Sequence, residues 1–147
     1  MTLLRPASPL DAGRVGTILS DWIDATHWVP RVRSRAEEIA GAGAMIDRGW
    51  VIVAETGEDV MGFIAQGDGT VHALYIDTAA RGQGLGARLL QRCMKERSGL
   101  QLWSFVENSG ARRFYRRLGF REFERGDGAG NDEGLPDIRL EWQRETT

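Results

Sequence analysis

Between Trp50 and Asp77 the sequence leaves the chain one kind of path. Trp50–Glu55 and Val60–Gln66 are runs of β-favouring residues separated by Thr56-Gly57-Glu58-Asp59, and Gly67-Asp68-Gly69 turns the chain again into Val71–Asp77. Tight glycine-bearing turns between such runs make hairpins, so these three strands form an antiparallel meander. A helical segment, Gly84–Arg97, follows, with Leu85, Leu89, Leu90, Cys93 and Met94 on one face and Arg88, Arg92 and Lys95 on the other. The next strand, Leu100–Val106, is reached through that helix and has no hairpin back to its predecessor. It should therefore lie parallel to Val71–Asp77.

The flanking segments extend the same architecture. Thr2–Arg5 reads as a strand, and Ser8-Pro9-Leu10-Asp11 opens a helix with Ser as N-cap and Pro at the first position. Val15, Ile18, Leu19, Trp22 and Ile23 form its buried face, and Ser34-Arg35-Ala36-Glu37 starts a second helix that runs to about Arg48. Asn108 or Ser109 caps a further helix with Ala111, Phe114, Tyr115 and Leu118 inward and Gly119 at its end, before closing strands at Phe120–Arg125 and Ile138–Trp142. The order β-α-α-β-β-β-α-β-α-β-β predicts an α/β (mixed α+β) fold, a mixed and mostly antiparallel sheet with helices on its faces.

At 147 residues, 41% hydrophobic and 27% charged, the chain is expected to be a single domain over residues 1–147 that needs no disulfide staple. Cys93 is the sole cysteine, so no cysteine-based metal cluster is available, and no metal site is expected. Met1–Asp11 does not resemble a signal peptide and no apolar run approaches a membrane span, which together predict a cytoplasmic protein without membrane contact. Charge is divided unevenly. Residues 1–80 carry 6 basic and 11 acidic side chains, residues 81–125 carry 11 and 4, and residues 126–147 carry 2 and 6. The basic middle suits an anionic ligand, or is simply a set of solvated arginine faces; the acidic flanks argue against a nucleic-acid partner.

Arg81-Gly82-Gln83-Gly84-Leu85-Gly86 lies between a strand and a helix, where converging backbone N–H groups and the helix N-terminus favour an anion such as phosphate. No Lys-Ser/Thr follows the glycines, which excludes a P-loop. Gly82, Gly84 and Ala87 formally satisfy the dinucleotide fingerprint, with Glu107 near the end of the next strand. That reading fails because Thr78-Ala79-Ala80-Arg81 intervenes, the preceding strands form hairpins, and only forty residues follow Glu107.

Arg81-x-x-Gly84-x-Gly86 after the strand Val71–Asp77 resembles the acetyl-coenzyme A site of the GNAT family of N-acetyltransferases. Asn108-Ser109-Gly110-Ala111-Arg112-Arg113-Phe114-Tyr115-Arg116-Arg117-Leu118-Gly119-Phe120 is similar to a second segment of that family, and the element order agrees over essentially the whole chain. The resemblance implies acetyl-coenzyme A as cosubstrate and a splayed pair of parallel strands that receives its pantetheine arm. It implies that Gly82, Gln83, Gly84, Leu85, Gly86 and Ala87 hold the pyrophosphate with Arg81 as a charged partner. The backbone of Leu74, Tyr75 and Ile76 would bind the arm, and Asn108, Ala111 and Phe114 would flank it. Tyr115 aligns with the general acid, although a tyrosine on this helix face read without the resemblance is more often core.

The base is less defined. The family's usual Glu maps to Thr70, which is no base, and His72 on the same strand face is the local candidate, since imidazole titrates near neutral pH. His72 is read equally well as a packing residue, and His27, Glu107 or ordered water are alternatives. His27 and Trp28, outside the periodic run, are expected in the acceptor pocket, whereas Trp22 is expected to be core. Cys93 on an apolar helix face should be inert. Asp127-Gly-x-x-Asn131-x-Glu133-x-x-Pro136-Asp137 fails the EF-hand pattern at Ala129, Asp132 and Ile138 and reads as an acidic hairpin loop, resembling a subgroup of small bacterial GNAT proteins; contact with a cationic substrate or a partner subunit is the lesser alternative. The expected acceptor is a primary amine on a small or amino-acid-like molecule. The alternatives are a protein or peptide amine, and a coenzyme A-binding module without catalysis. The closing strands are compatible with a homodimer without requiring one.

Overall fold

The computed structural model describes residues 1–145. The chain runs β1 (Thr2–Pro6), α1 (Ala12–Ala25), α2 (Arg35–Asp47), β2 (Val51–Thr56), β3 (Asp59–Gly67), β4 (Thr70–Ile76), α3 (Leu85–Glu96), β5 (Gly99–Phe105), α4 (Ser109–Arg117), β6 (Arg121–Gly126) and β7 (Asp137–Gln143). The boundaries have local causes. Ser34 Oγ accepts from the Glu37 N–H at 3.1 Å while the Glu37 carboxylate accepts from the Ser34 N–H at 2.9 Å, a reciprocal box that starts α2. Pro9–Asp11 forms one 3-10 turn rather than the first turn of α1, which begins at Ala12. Gly119, at φ +98°, takes the left-handed conformation that lets the chain leave α4.

The seven strands form one sheet in the order β1-β2-β3-β4-β5-β7-β6. All neighbouring pairs are antiparallel except β4 and β5, which are parallel and meet at one residue pair, Thr70 and Gln101. This is the mixed, mostly antiparallel sheet expected from the order of elements. Two cores cover its faces. Val15 and Ile18 of α1 and Ala42 and Ile46 of α2 pack on Val51, Val53, Phe63 and Ala65. On the opposite face Leu85, Leu89, Leu90 and Cys93 of α3 and Tyr115 of α4 pack on Ile64, Val71, Leu100, Leu102 and Leu140. Burial pushes the Cys93 thiol up to about 11, consistent with an unreactive core cysteine.

Arginine ties α4 to its surroundings. Arg112 donates to both carboxylate oxygens of Glu122 in β6, at 2.7 and 3.1 Å, and to the Val106 carbonyl at 3.0 Å. The Arg112 hydrogen bonds hold the Glu122 carboxyl below the usual carboxylate range. A carboxyl whose folded-state pKa is depressed contributes stability above its unfolded value, and that contribution is lost as pH falls through the folded value. Glu122→Gln is therefore expected to cost about 1 kcal/mol at pH 7. The difference from wild type should shrink as pH drops below about 4, measured by denaturant unfolding across pH.

Candidate active site

Thr70 and Gln101 act as the hinge between β4 and β5. The Gln101 N–H donates to the Gly69 carbonyl at 2.9 Å, and its side-chain amide donates to Thr70 Oγ at 3.2 Å. No further ladder pair joins the two strands, so β4 and β5 part beyond this point. The Asp77 N–H donates to Met61 in β3 at 2.7 Å, and Tyr75 sits opposite Phe63. By the two-residue alternation of a strand, Leu74 and Ile76 then turn their N–H and C=O groups away from β3, into the gap. Arg81 Nε lies 3.4 Å from the Ile76 carbonyl on that open edge. The sequence expectation is corrected at Tyr75: its backbone belongs to the β3 ladder, and it is the side chain that enters the site.

At the far end of the gap the chain turns through Gly82 and Gly84, at φ +79° and +76°. These left-handed positions favour glycine and aim successive N–H groups at the N-terminus of α3. Gln83 is exposed, Leu85 is buried in the core and thus offers its backbone alone, and Gly86 and Ala87 are half-buried. A cleft of about 430 Å³ runs along this region, lined by Leu74, Ile76, Arg81, Gly86, Ala111 and Phe114 among others. Open strand edge, apolar floor and an N–H-rich turn with an arginine suit an extended ligand with an anionic end.

A second cleft, of about 250 Å³, adjoins the first, and both are lined by Trp22, Leu74, Tyr75, Ala111 and Tyr115. Tyr115 is 9% exposed, and burial together with the neighbouring Tyr75 pushes its phenol well above the ordinary range. The proton therefore stays on oxygen at neutral pH. Asn108, which lines the second cleft, caps α4 by accepting from the Ala111 N–H at 3.2 Å. Thr70, at the family's Glu position, is engaged in the hinge. His72 lines the second cleft and stacks on Trp50, with ring centroids 4.6 Å apart and planes within 6°. A β-bulge in β4 leaves His72 without a partner in β3, so His72 and Ala73 fall on one face with Tyr75. The Trp50 indole lies over Gly67, where a Cβ would collide with it.

The acceptor side differs from the sequence expectation. His27 is exposed and lines neither cleft. Trp28 stands behind the wall, packing edge-on against Trp22 and Phe105 at 6.2 and 5.7 Å. Trp22, expected to be core, is half-buried and lines both clefts with its ring 5.2 Å from that of Tyr75. Its apolar helical spacing could not separate the two roles, since the end of α1 overhangs the cleft. Asn131, Glu133 and Asp137 of the acidic loop also line the second cleft. Among the described residues no cluster of His, Cys, Asp or Glu is arranged to hold a metal, and no helix is long and apolar enough to cross a membrane.

A forked parallel strand pair whose open edge leads to a glycine turn is the arrangement that the resemblance implied, and the comparisons agree. The Acetyltransferase (GNAT) domain family matches residues 47–122, and the chain belongs to that family. It is 32% identical over 101 residues to the peptidyl-lysine N-acetyltransferase YjaB of Salmonella typhimurium, covering 67% of this chain and 69% of that one. A Methanocaldococcus jannaschii protein described as an uncharacterized N-acetyltransferase is 39% identical over 59 residues, which are 37% of this chain and 26% of that protein. In structure, apo YjaB of Escherichia coli superposes with a TM-score of 0.80 at 21% identity, covering 99% of each chain. Salmonella typhimurium yncA, solved with its cofactor acetyl-CoA, gives 0.78 at 23% identity, covering 100% of this chain and 96% of that one. The domain is thus an acetyl-coenzyme A-dependent acetyltransferase domain.

The glycine turn can be tested directly. Gly84→Val places a β-branched residue at positive φ and is expected to lower stability by about 1–2 kcal/mol. It should also weaken coenzyme A binding by about tenfold through misdirected N–H groups. Thermal unfolding and calorimetric titration measure the two effects, and unchanged affinity would exclude the turn from the phosphate site.

Proposed function

We propose that this protein transfers the acetyl group of acetyl-coenzyme A to a primary amine of a small or amino-acid-like acceptor by direct attack, in the cytoplasm. The observation that carries this reading is Tyr115, a buried phenol shared by the two adjoining clefts, one along the open strand edge and one walled by aromatic residues. When bound, acetyl-coenzyme A supplies an activated acyl thioester. Gln83 to Ala87 and Arg81 would hold its pyrophosphate, and Leu74 and Ile76 its pantetheine arm, with Asn108, Ala111 and Phe114 on the far side. One of the free N–H groups of β4 would then polarise the thioester carbonyl.

The proton balance assigns two side chains. An alkylammonium has a pKa near 10 and must lose a proton before its nitrogen can attack, and the His72 imidazole accepts that proton. As the N–C bond forms and the C–S bond breaks, the Tyr115 phenol protonates the departing thiolate, and the second proton, lost from the acylated nitrogen, returns to the phenolate. The high phenol pKa keeps this proton in place until a strong base develops beside it. A lysine side chain of a protein is a second reading, favoured by the likeness to the peptidyl-lysine acetyltransferase YjaB. A coenzyme A-binding module without catalysis is disfavoured by the placement of Tyr115.

Tyr115→Phe should reduce kcat by about tenfold to a hundredfold with coenzyme A affinity unchanged within about twofold. Thiol release and calorimetry measure the pair, and full turnover would remove Tyr115 from the mechanism. His72→Gln should lower kcat by about tenfold or more with coenzyme A affinity unchanged within about twofold, and full turnover would exclude His72 as the base. Thiol release with a panel of amines and lysine peptides separates the acceptor readings, and coenzyme A binding without release across the panel would support the module.

A further inference from the structure

The loop between β6 and β7 overhangs the aromatic cleft and is braced internally by one side chain. Asn131 donates to the Leu135 carbonyl at 2.7 Å and to Asp137 Oδ2 at 3.1 Å, and accepts from the Leu135 N–H at 3.2 Å. The loop's acidic groups thereby take different duties. Asp132 pairs with Arg33 from the segment between α1 and α2, and Asp137 is engaged by Asn131. Glu133 is half-buried, lines the cleft, and has no ion-pair partner among the described residues. Burial, with smaller contributions from Glu133 and Glu38, pushes the Tyr75 phenol up to about 12.

Aromatic rings form part of the same wall. Trp22, Tyr75 and Phe105 line the same cleft as Glu133, and Tyr115 stands at its junction with the cofactor cleft. Two carboxylates without an ion pair among the described residues line this cleft, and Asp137 is bonded by the Asn131 amide while Glu133 is not, so Glu133 among aromatic faces is complementary to a cation on an apolar stem. The ammonium gains a charge-assisted hydrogen bond and the ring quadrupoles, while the stem covers apolar surface. A carboxylate-bearing acceptor would meet like charge, and a neutral one would leave Glu133 desolvated without a partner.

Resting on the reading of this site as an N-acetyltransferase, we propose that Glu133 selects the acceptor, binding the ammonium of a primary alkyl or arylalkyl amine beside Tyr115 with Trp22, Tyr75 and Phe105 around its stem. This chemistry is shared by a free amine and by a lysine side chain, and the experiment distinguishes them. Phenethylammonium, a blocked tripeptide with central lysine, and phenethyl alcohol as the neutral isostere are titrated calorimetrically into the coenzyme A complex of the full chain, wild type and Glu133→Gln. The variant should bind both ammonium ligands about tenfold or more weakly, with coenzyme A and phenethyl alcohol affinities unchanged and Glu133→Asp recovering part of the loss. The tighter of the two ammonium ligands identifies the source. Equal ammonium affinity in wild type and Glu133→Gln overturns the proposal, as does failure of every ammonium ligand to bind a wild-type protein that binds coenzyme A. Failure of the wild type to bind coenzyme A would instead overturn the reading of function beneath it.

Discussion

Two parallel strands joined at one end and free at the other leave backbone polar groups unpaired in the middle of a sheet, and a buried N–H or C=O without a partner is costly. The hinge of Thr70 and Gln101 creates that condition in β4 and β5. Leu74 and Ile76 then face a gap that only an extended ligand can pair as a strand would. The remaining parts of the site follow from this fork. Helix α3 leaves β4 through the glycine turn and α4 leaves β5 at Asn108, so the two helix starts flank the open end. Tyr115, nearly two turns into α4, is carried to the place where the gap meets the aromatic cleft.

The electrostatics divide along the same line. The basic middle of the chain supplies Arg81 at the glycine turn and the outward arginines of α3 and α4. The last segment carries 6 acidic and 2 basic side chains, and its loop overhangs the opposite cleft. An overall charge of −2 thus conceals a basic side at the glycine turn and an acidic loop at the opposite cleft. The acceptor loops are tied to one another as well: Arg31 of the first loop is bonded to Ser20, Asp24 and Glu38, and its neighbour Arg33 reaches Asp132 of the second.

Most elements were legible in the sequence because their ends carry local chemistry. The Ser34–Glu37 box, the glycine at 119 and the hairpin turns after Thr56 and Gly67 are read within a few residues and reappear in the structure. The fork between β4 and β5 was not written in any local pattern; it entered through the resemblance to a family. Trp22 was misplaced because helical periodicity reports a buried face, and a cleft wall at the end of a helix has the same spacing as a core. The approach of Glu133 to Tyr75 joins residues far apart in sequence, so the available signal was the Asn131-x-Glu133-x-x-Pro136-Asp137 spacing alone. The bulge at His72 is a single-residue event, and alternation read along the strand passes over it.

The stack of His72 on Trp50 also ties the proposed base to a position that carries no functional group. The indole keeps its place because Gly67, in another strand, has no side chain to displace it. The orientation of the imidazole is therefore inherited from an absence of atoms two contacts away. Evolution could retune or silence this histidine by enlarging that glycine, without altering any residue that meets donor or acceptor. Comparison of natural variants in the clefts alone would overlook that route to a changed enzyme.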